Sequence, residues 1–236
     1  MLIVKKFGGT SVANKERIYN VAGRCVEEYK KGNDVVVVLS AMGKYTDELI
    51  SMAEDINEKP PKREMDMLFT IGEQMSVSLM AMAFDKLGVP AVSLNAFQVA
   101  MHTTHRYGNA QLKRIDTDRI RNELEQRKIV LVTGFQGIDK FDNVTTLGRG
   151  GSDTTAVALA AALHADATGN ALACRAAGNG RGNDDMEGAD LRAFSAGNAF
   201  VTFFIQVDAD SLRTYGGAFT ASNALALIPT DQSLAA

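Results

Sequence analysis

The chain is short of cysteine, of net positive charge and of long apolar runs. Its 236 residues include only two cysteines, Cys25 and Cys174, far apart in sequence. That leaves no disulfide framework and no zinc-ligand spacing, and both thiols are expected to be reduced. Lys and Arg total 25 against 28 Asp and Glu, a net charge of −3. No basic stripe for nucleic acid is expected from that balance. The most apolar stretches read from the sequence, near residues 35–42 and 156–163, are too short to cross a bilayer. The first residues read as a strand with two lysines, not as a signal peptide. These shortages predict a cytoplasmic protein with no nucleic-acid or membrane partner. His102 and His105 flank Thr103-Thr104, but no third ligand follows at metal spacing, so no protein-bound metal is expected.

What is present is an alternation of strand and helix. Residues 2–7, 35–39, 91–94 and 129–133 read as strands, and the run Val35-Val36-Val37-Val38-Leu39 suits a central parallel position buried on both faces. Residues 14–31 read as an amphipathic helix with Ile18, Val21, Cys25 and Tyr29 on one face. Residues 63–87 read as a long helix carrying Leu68, Ile71, Met75, Leu79 and Met82 at helical spacing, its methionines filling core. Residues 116–127 read as a polar helix. A further helix runs to His164, capped by Ser152 or Asp153. Such alternation predicts an α/β fold with helices on both faces of a mostly parallel sheet, its ligand site beyond the carboxyl ends of the strands.

Two glycine-rich turns stand at such ends. Lys6-Phe7-Gly8-Gly9-Thr10-Ser11 follows the first strand. Paired glycines let backbone N–H groups approach an anion, and a lysine adds a point charge. Gly148-Arg149-Gly150-Gly151-Ser152-Asp153 opens the last helix, where N–H groups and the helix dipole favour an anion and Arg149 offers a two-toothed clamp for a carboxylate. Asp153 is suited to hold Lys6. Each turn alone also reads as an ordinary strand-to-helix connection. Gly43-Lys44 lacks both the first glycine and the final Ser/Thr of a P-loop. Ser40 and Thr46 after the second strand suit either phosphate and substrate contacts or loop capping. Glu73, amid apolar neighbours, suits either a substrate ammonium group or the solvent face of its helix.

Taken in order, the strings 6–12, 37–42, Thr70-Ile71-Gly72-Glu73, Thr133-Gly134-Phe135-Gln136-Gly137 and 148–154 resemble the aspartate kinase family, within the amino-acid kinase superfamily, over residues 2–166. The resemblance implies a three-layer αβα sandwich and transfer of the γ-phosphoryl group of magnesium-bound ATP to the side-chain carboxylate of L-aspartate. The product would be 4-phospho-L-aspartate, for lysine, threonine and methionine biosynthesis. It implies catalytic roles for Lys6 and Asp153, phosphate contacts from Lys6, Phe7, Gly8, Gly9 and Ser40, and aspartate contacts from Thr46, Glu73, Arg149, Gly150, Gly151 and Ser152. Aspartate needs no general base, since its carboxylate is already ionised at neutral pH. A homo-oligomer is also implied.

The composition changes near Asp166. Lys140 is the last lysine, and residues 167–200 are dominated by Ala, Gly, Asn and Asp. The family's nucleotide-holding loop and regulatory domains have no counterpart there. The expected organisation is a catalytic domain over 1–166, incomplete on its C-terminal side, and a divergent tail over 167–236 with rapidly exchanging amides and one strand near 201–207. The alternative is an inactive remnant that binds aspartate or a partner chain, or a superfamily kinase with another acceptor.

Overall fold

A computed structural model describes residues 1–165 and the three strands 174–176, 190–196 and 200–206. The central sheet has the order β3-β6-β2-β1-β9. Its strands are β1 (Leu2–Phe7), β2 (Asp34–Leu39), β3 (Ala91–Leu94), β6 (Ile129–Thr133) and β9 (Cys174–Ala176). Every pairing within it is parallel. The helices α1 (Lys15–Lys30), α2 (Tyr45–Ile56), α3 (Lys62–Lys86), α4 (Asp118–Glu125) and α5 (Gly151–Ala162) complete this part of the molecule.

Strand β2 shows why the layers form. Val35 through Leu39 have no solvent exposure, and successive side chains point to opposite faces. Val35, Val37 and Leu39 pack with Ile18, Val21 and Cys25 of α1 and with Val77, Met80 and Phe84 of α3. Val36 and Val38 pack with Ile120 and Leu124 of α4 and with Ala156 and Leu159 of α5. Each such side chain contributes roughly 1.5–3 kcal/mol by leaving water. The result is the expected αβα sandwich. Cys25 lies in the first of these layers, where burial pushes its thiol up to about 12.

A second sheet, of order β5-β4-β7-β8, extends from the first. It consists of β4 (His102–Thr103), β5 (Leu112–Arg114), β7 (Gln136–Ile138) and β8 (Val144–Thr146). A separate antiparallel hairpin joins β10 (Asp190–Ala196) to β11 (Phe200–Gln206). Strand β11 meets the expectation of a strand near 201–207. The expectation of a rapidly exchanging tail falls mainly on residues outside those described.

Several expectations need correction. Helix α3 buries the face bearing Asp66, Thr70, Glu73, Val77, Met80 and Phe84, while Ile71, Leu79 and Met82 are exposed. Apolar residues occupy both faces of this helix, so spacing alone does not choose between them. Met67 and Met82 are therefore surface residues, not core filling. An 18-residue window of α3 is also apolar enough to cross a membrane, with 44% of that window buried in the fold. Helix α2 occupies a stretch to which the sequence reading assigned no element. The cap of α5 is Gly150 in the left-handed region at φ 75°, not Ser152 or Asp153.

Candidate active site

The first, second and sixth strands end side by side, and their turns interlock. The Ser40 N–H donates to the Phe7 carbonyl at 3.2 Å, and the Gly134 N–H donates to the Leu39 carbonyl at 2.9 Å. The Gly43 N–H reaches the Gly9 carbonyl at 3.0 Å. A Cβ at Gly9 would lie 2.5 Å from the Ala41 carbonyl oxygen, and one at Gly134 would lie 2.5 Å from the Ser152 hydroxyl oxygen. These turns can approach each other only because no side chain stands between them.

The two glycine-rich turns meet in this region. Lys6 Nζ lies 3.0 Å from Asp153 Oδ1, joining residues far apart in the sequence. Lys6 is mostly shielded, and its ammonium lies over the Gly8 backbone, 3.7 Å from where a Cβ would stand. Asp153 sits in the first turn of α5, where its charge also favours the positive end of the helix dipole. Arg149 precedes it in an exposed turn. Gly148 and Gly150 both adopt positive φ, 77° and 75°, which a side chain would strain. Gly151 and Ser152 are buried, Gly151 against Phe135 and Leu147.

Glu73 borders the same cluster. Its Oε1 accepts the Ala41 N–H at 3.2 Å, and its Oε2 is buried with no hydrogen-bond partner. Gly72 lets α3 come close enough, since a Cβ there would lie 2.6 Å from the Ala41 Cβ. Burial raises the Glu73 carboxyl to about 7, outweighing its own and Ala41's backbone N–H groups and the nearby Gln136 side-chain amide, all of which lower it. Glu73 thus lies on the buried face of α3, not on a solvent face. A buried carboxylate oxygen without a donor is poised for a cation.

The other expected site residues fall nearby with different exposure. Ser40 is half-buried on the connection after β2, and Thr46 is half-buried in the first turn of α2. The Phe7 side chain is buried in the core beneath the turn, so only its backbone faces the strand ends. His105 is paired instead with the buried Asp139, which this contact and the backbone N–H groups of Phe141 and Asn143 keep low despite burial. Among the described residues no group of three His, Cys, Asp or Glu stands in metal-binding geometry.

Sequence reasoning missed Asp66, and gave Thr70 and Gln136 no role beyond their place in the family strings. The Gln136 amide donates to the Thr70 carbonyl and accepts from the Thr133 hydroxyl, joining α3 to the end of β6. The one available signal for Asp66 was an acidic residue amid the apolar residues of α3.

A parallel sheet with helices on both faces brings a lysine and a helix N-terminus together at its carboxyl edge, an arrangement that can receive an anion. The model of the amino acid kinase family matches residues 1–171. The chain belongs to that family. Within it, the chain is 59% identical over 165 residues to an aspartokinase of Bacillus sp. (strain MGA3), covering 70% of this chain and 40% of that one. It is 56% identical, over the same shares, to aspartokinase 2 of Bacillus subtilis. Among solved structures, the aspartate kinase from Synechocystis has 47% identity and a TM-score of 0.62, over 70% of this chain and 27% of that one. Escherichia coli aspartokinase III, solved with aspartate and ADP, has 26% identity and a TM-score of 0.63, over 70% and 47%. The chain thus spans about 40% of the length of the curated relatives it matches.

Proposed function

We propose that the chain carries the acceptor-binding part of an aspartate kinase, which moves the γ-phosphoryl group of ATP to the side-chain carboxylate of L-aspartate. In this reading residues 1–166 form the catalytic domain and 167–236 a divergent tail. The Lys6–Asp153 ion pair carries the reading, because it joins the two anion-binding turns in one place. Likeness to the aspartokinases supports aspartate as acceptor. The unpaired Glu73 oxygen supports it independently, as a partner for an amino acid's ammonium group.

In this mechanism the acceptor carboxylate attacks the γ-phosphorus directly, and the bond to the bridging oxygen of ADP breaks. Lys6 neutralises charge building on the transferred group, and Asp153 fixes the lysine. The backbone of Phe7, Gly8 and Gly9, with Ser40, lines the phosphates. Thr46, Glu73, Arg149, Gly150, Gly151 and Ser152 hold aspartate, Glu73 at its ammonium and Arg149 at a carboxylate. Magnesium would be carried on the nucleotide's phosphates and would supply further charge neutralisation. The product would serve lysine, threonine and methionine biosynthesis in the cytoplasm, from a homo-oligomer.

A coupled assay for ADP release tests this. Release that requires L-aspartate supports it. Release independent of aspartate, or dependent on glutamate alone, refutes it. The end of the family match at residue 171 favours a second reading, in which the chain binds aspartate but turns over no ATP. Aspartate binding without ADP release would select that reading.

A further inference from the structure

We infer that Asp66 is a positioning residue for the acceptor site, acting through Thr146 to hold the turn that carries Arg149. This rests on the aspartate-binding reading above. Asp66 is fully buried within α3. Its Oδ1 accepts the Thr146 hydroxyl at 2.8 Å, and its Oδ2 accepts the Thr146 N–H at 2.9 Å. The Gly108 N–H lies 3.0 Å from both oxygens. Each of these partners is a neutral donor, so the carboxylate here holds backbone and hydroxyl geometry.

The segments so tied are the ones that frame the Arg149 turn. Thr146 ends β8, and Leu147 after it donates its N–H to the Phe135 carbonyl at 2.8 Å. The turn from Gly148 to Gly150 follows at once. Gly108 sits against it, since a Cβ on Gly148 would lie 3.1 Å from the Gly108 carbonyl oxygen and from Asn109 Oδ1. The Ala110 N–H closes the same frame on the Thr146 carbonyl at 2.8 Å. Asp66 therefore clamps both sides of the base from which Arg149 projects.

Helix α3 makes this clamp a ruler. Asp66 and Glu73 lie about two turns apart on the same buried face, roughly 10 Å along the axis. One end of this rigid segment fixes the Ala41 turn through Glu73, and the other fixes the Arg149 turn through Asp66. The separation of the ammonium and carboxylate contacts is then set by a helix rather than by two independent loops, as close positioning requires.

The test uses the full chain and titration calorimetry with L-aspartate. Thr146→Val keeps the shape of the side chain and removes one donor to Asp66, and should weaken aspartate binding about tenfold. Thr146→Ser restores the hydroxyl and should recover most of the affinity. Ile120→Val, in the core on the α4 side, serves as a stability control and should leave binding unchanged even where it lowers the melting point equally. Asp66→Ala should weaken binding more than Thr146→Val. Wild-type binding retained in both Thr146→Val and Asp66→Ala overturns the inference and leaves the proposed function standing. So does a loss in Thr146→Val that Ile120→Val matches at equal loss of stability. No binding by the wild-type chain overturns the proposed function, and this inference with it.

Discussion

If Glu73 takes the ammonium group of the acceptor, aspartate binding must expel a proton from the protein at mildly acidic pH. Burial pushes the free carboxyl up to about 7 despite the hydrogen bonds that favour its ionised form. A bound ammonium favours the ionised form and lowers that value. At pH 6 about nine-tenths of the free protein holds the proton, and releasing it costs about 1.4 kcal/mol; at pH 8 the cost is about 0.1 kcal/mol. The dissociation constant for aspartate should therefore be about tenfold higher at pH 6 than at pH 8, with little change above pH 8. Calorimetry at pH 6 in buffers of different ionisation enthalpy should show about 0.9 proton released per aspartate bound. In Glu73→Gln both signatures should disappear. A flat affinity from pH 6 to pH 8 in the wild-type chain, with no buffer dependence of the heat, would refute the contact between Glu73 and the ammonium group.

The same carboxyl links stability to pH with a definite sign. Its folded value of about 7 lies above the ordinary 4.5, so between these values the folded state binds more protons than the unfolded state. Stability should fall as pH rises from about 4.5 to 7, by roughly 3 kcal/mol, and Glu73→Gln should lack this component when urea unfolding is compared across that range. Lys6→Met should reduce the phosphoryl-transfer rate by about a hundredfold or more, with near-native circular dichroism, in a single-turnover assay. Gly9→Ala should destabilise the chain by about 1–3 kcal/mol in urea unfolding, because the new Cβ meets the Ala41 carbonyl oxygen at 2.5 Å.

The sheet was legible because its central strand is extreme. Five consecutive apolar residues, four of them valine, suit burial on both faces, and β2 is buried on both. Helix α1 was legible because one face is apolar and Asn14 caps it, its side chain accepting the Arg17 N–H. Helix α3 was legible as a helix but not in its orientation. Ile71 and Met82 are as apolar as Val77 and Met80, so the choice of face rests on what the sheet offers, including the Ala41 N–H for Glu73 and the Thr146 and Gly108 donors for Asp66. The small second sheet was not legible, since His102–Thr103 and Leu112–Arg114 are too short to show a period of two. Within the candidate site, the glycine strings marked the turns because close approach excludes side chains there. The Asp66 clamp left no such mark, because its partners are mainly backbone groups brought together only by the fold.

In the proposed function, the turns bearing Lys6 and Asp153 make one site for phosphorylating a carboxylate. Trapping with hydroxylamine tests it most directly, because an acyl phosphate reacts to give a hydroxamate that can be weighed by mass spectrometry. Aspartyl hydroxamate should form from the wild-type chain with ATP and L-aspartate, and fall about a hundredfold or more in Lys6→Met. Hydroxamate formed equally well by Lys6→Met would contradict it.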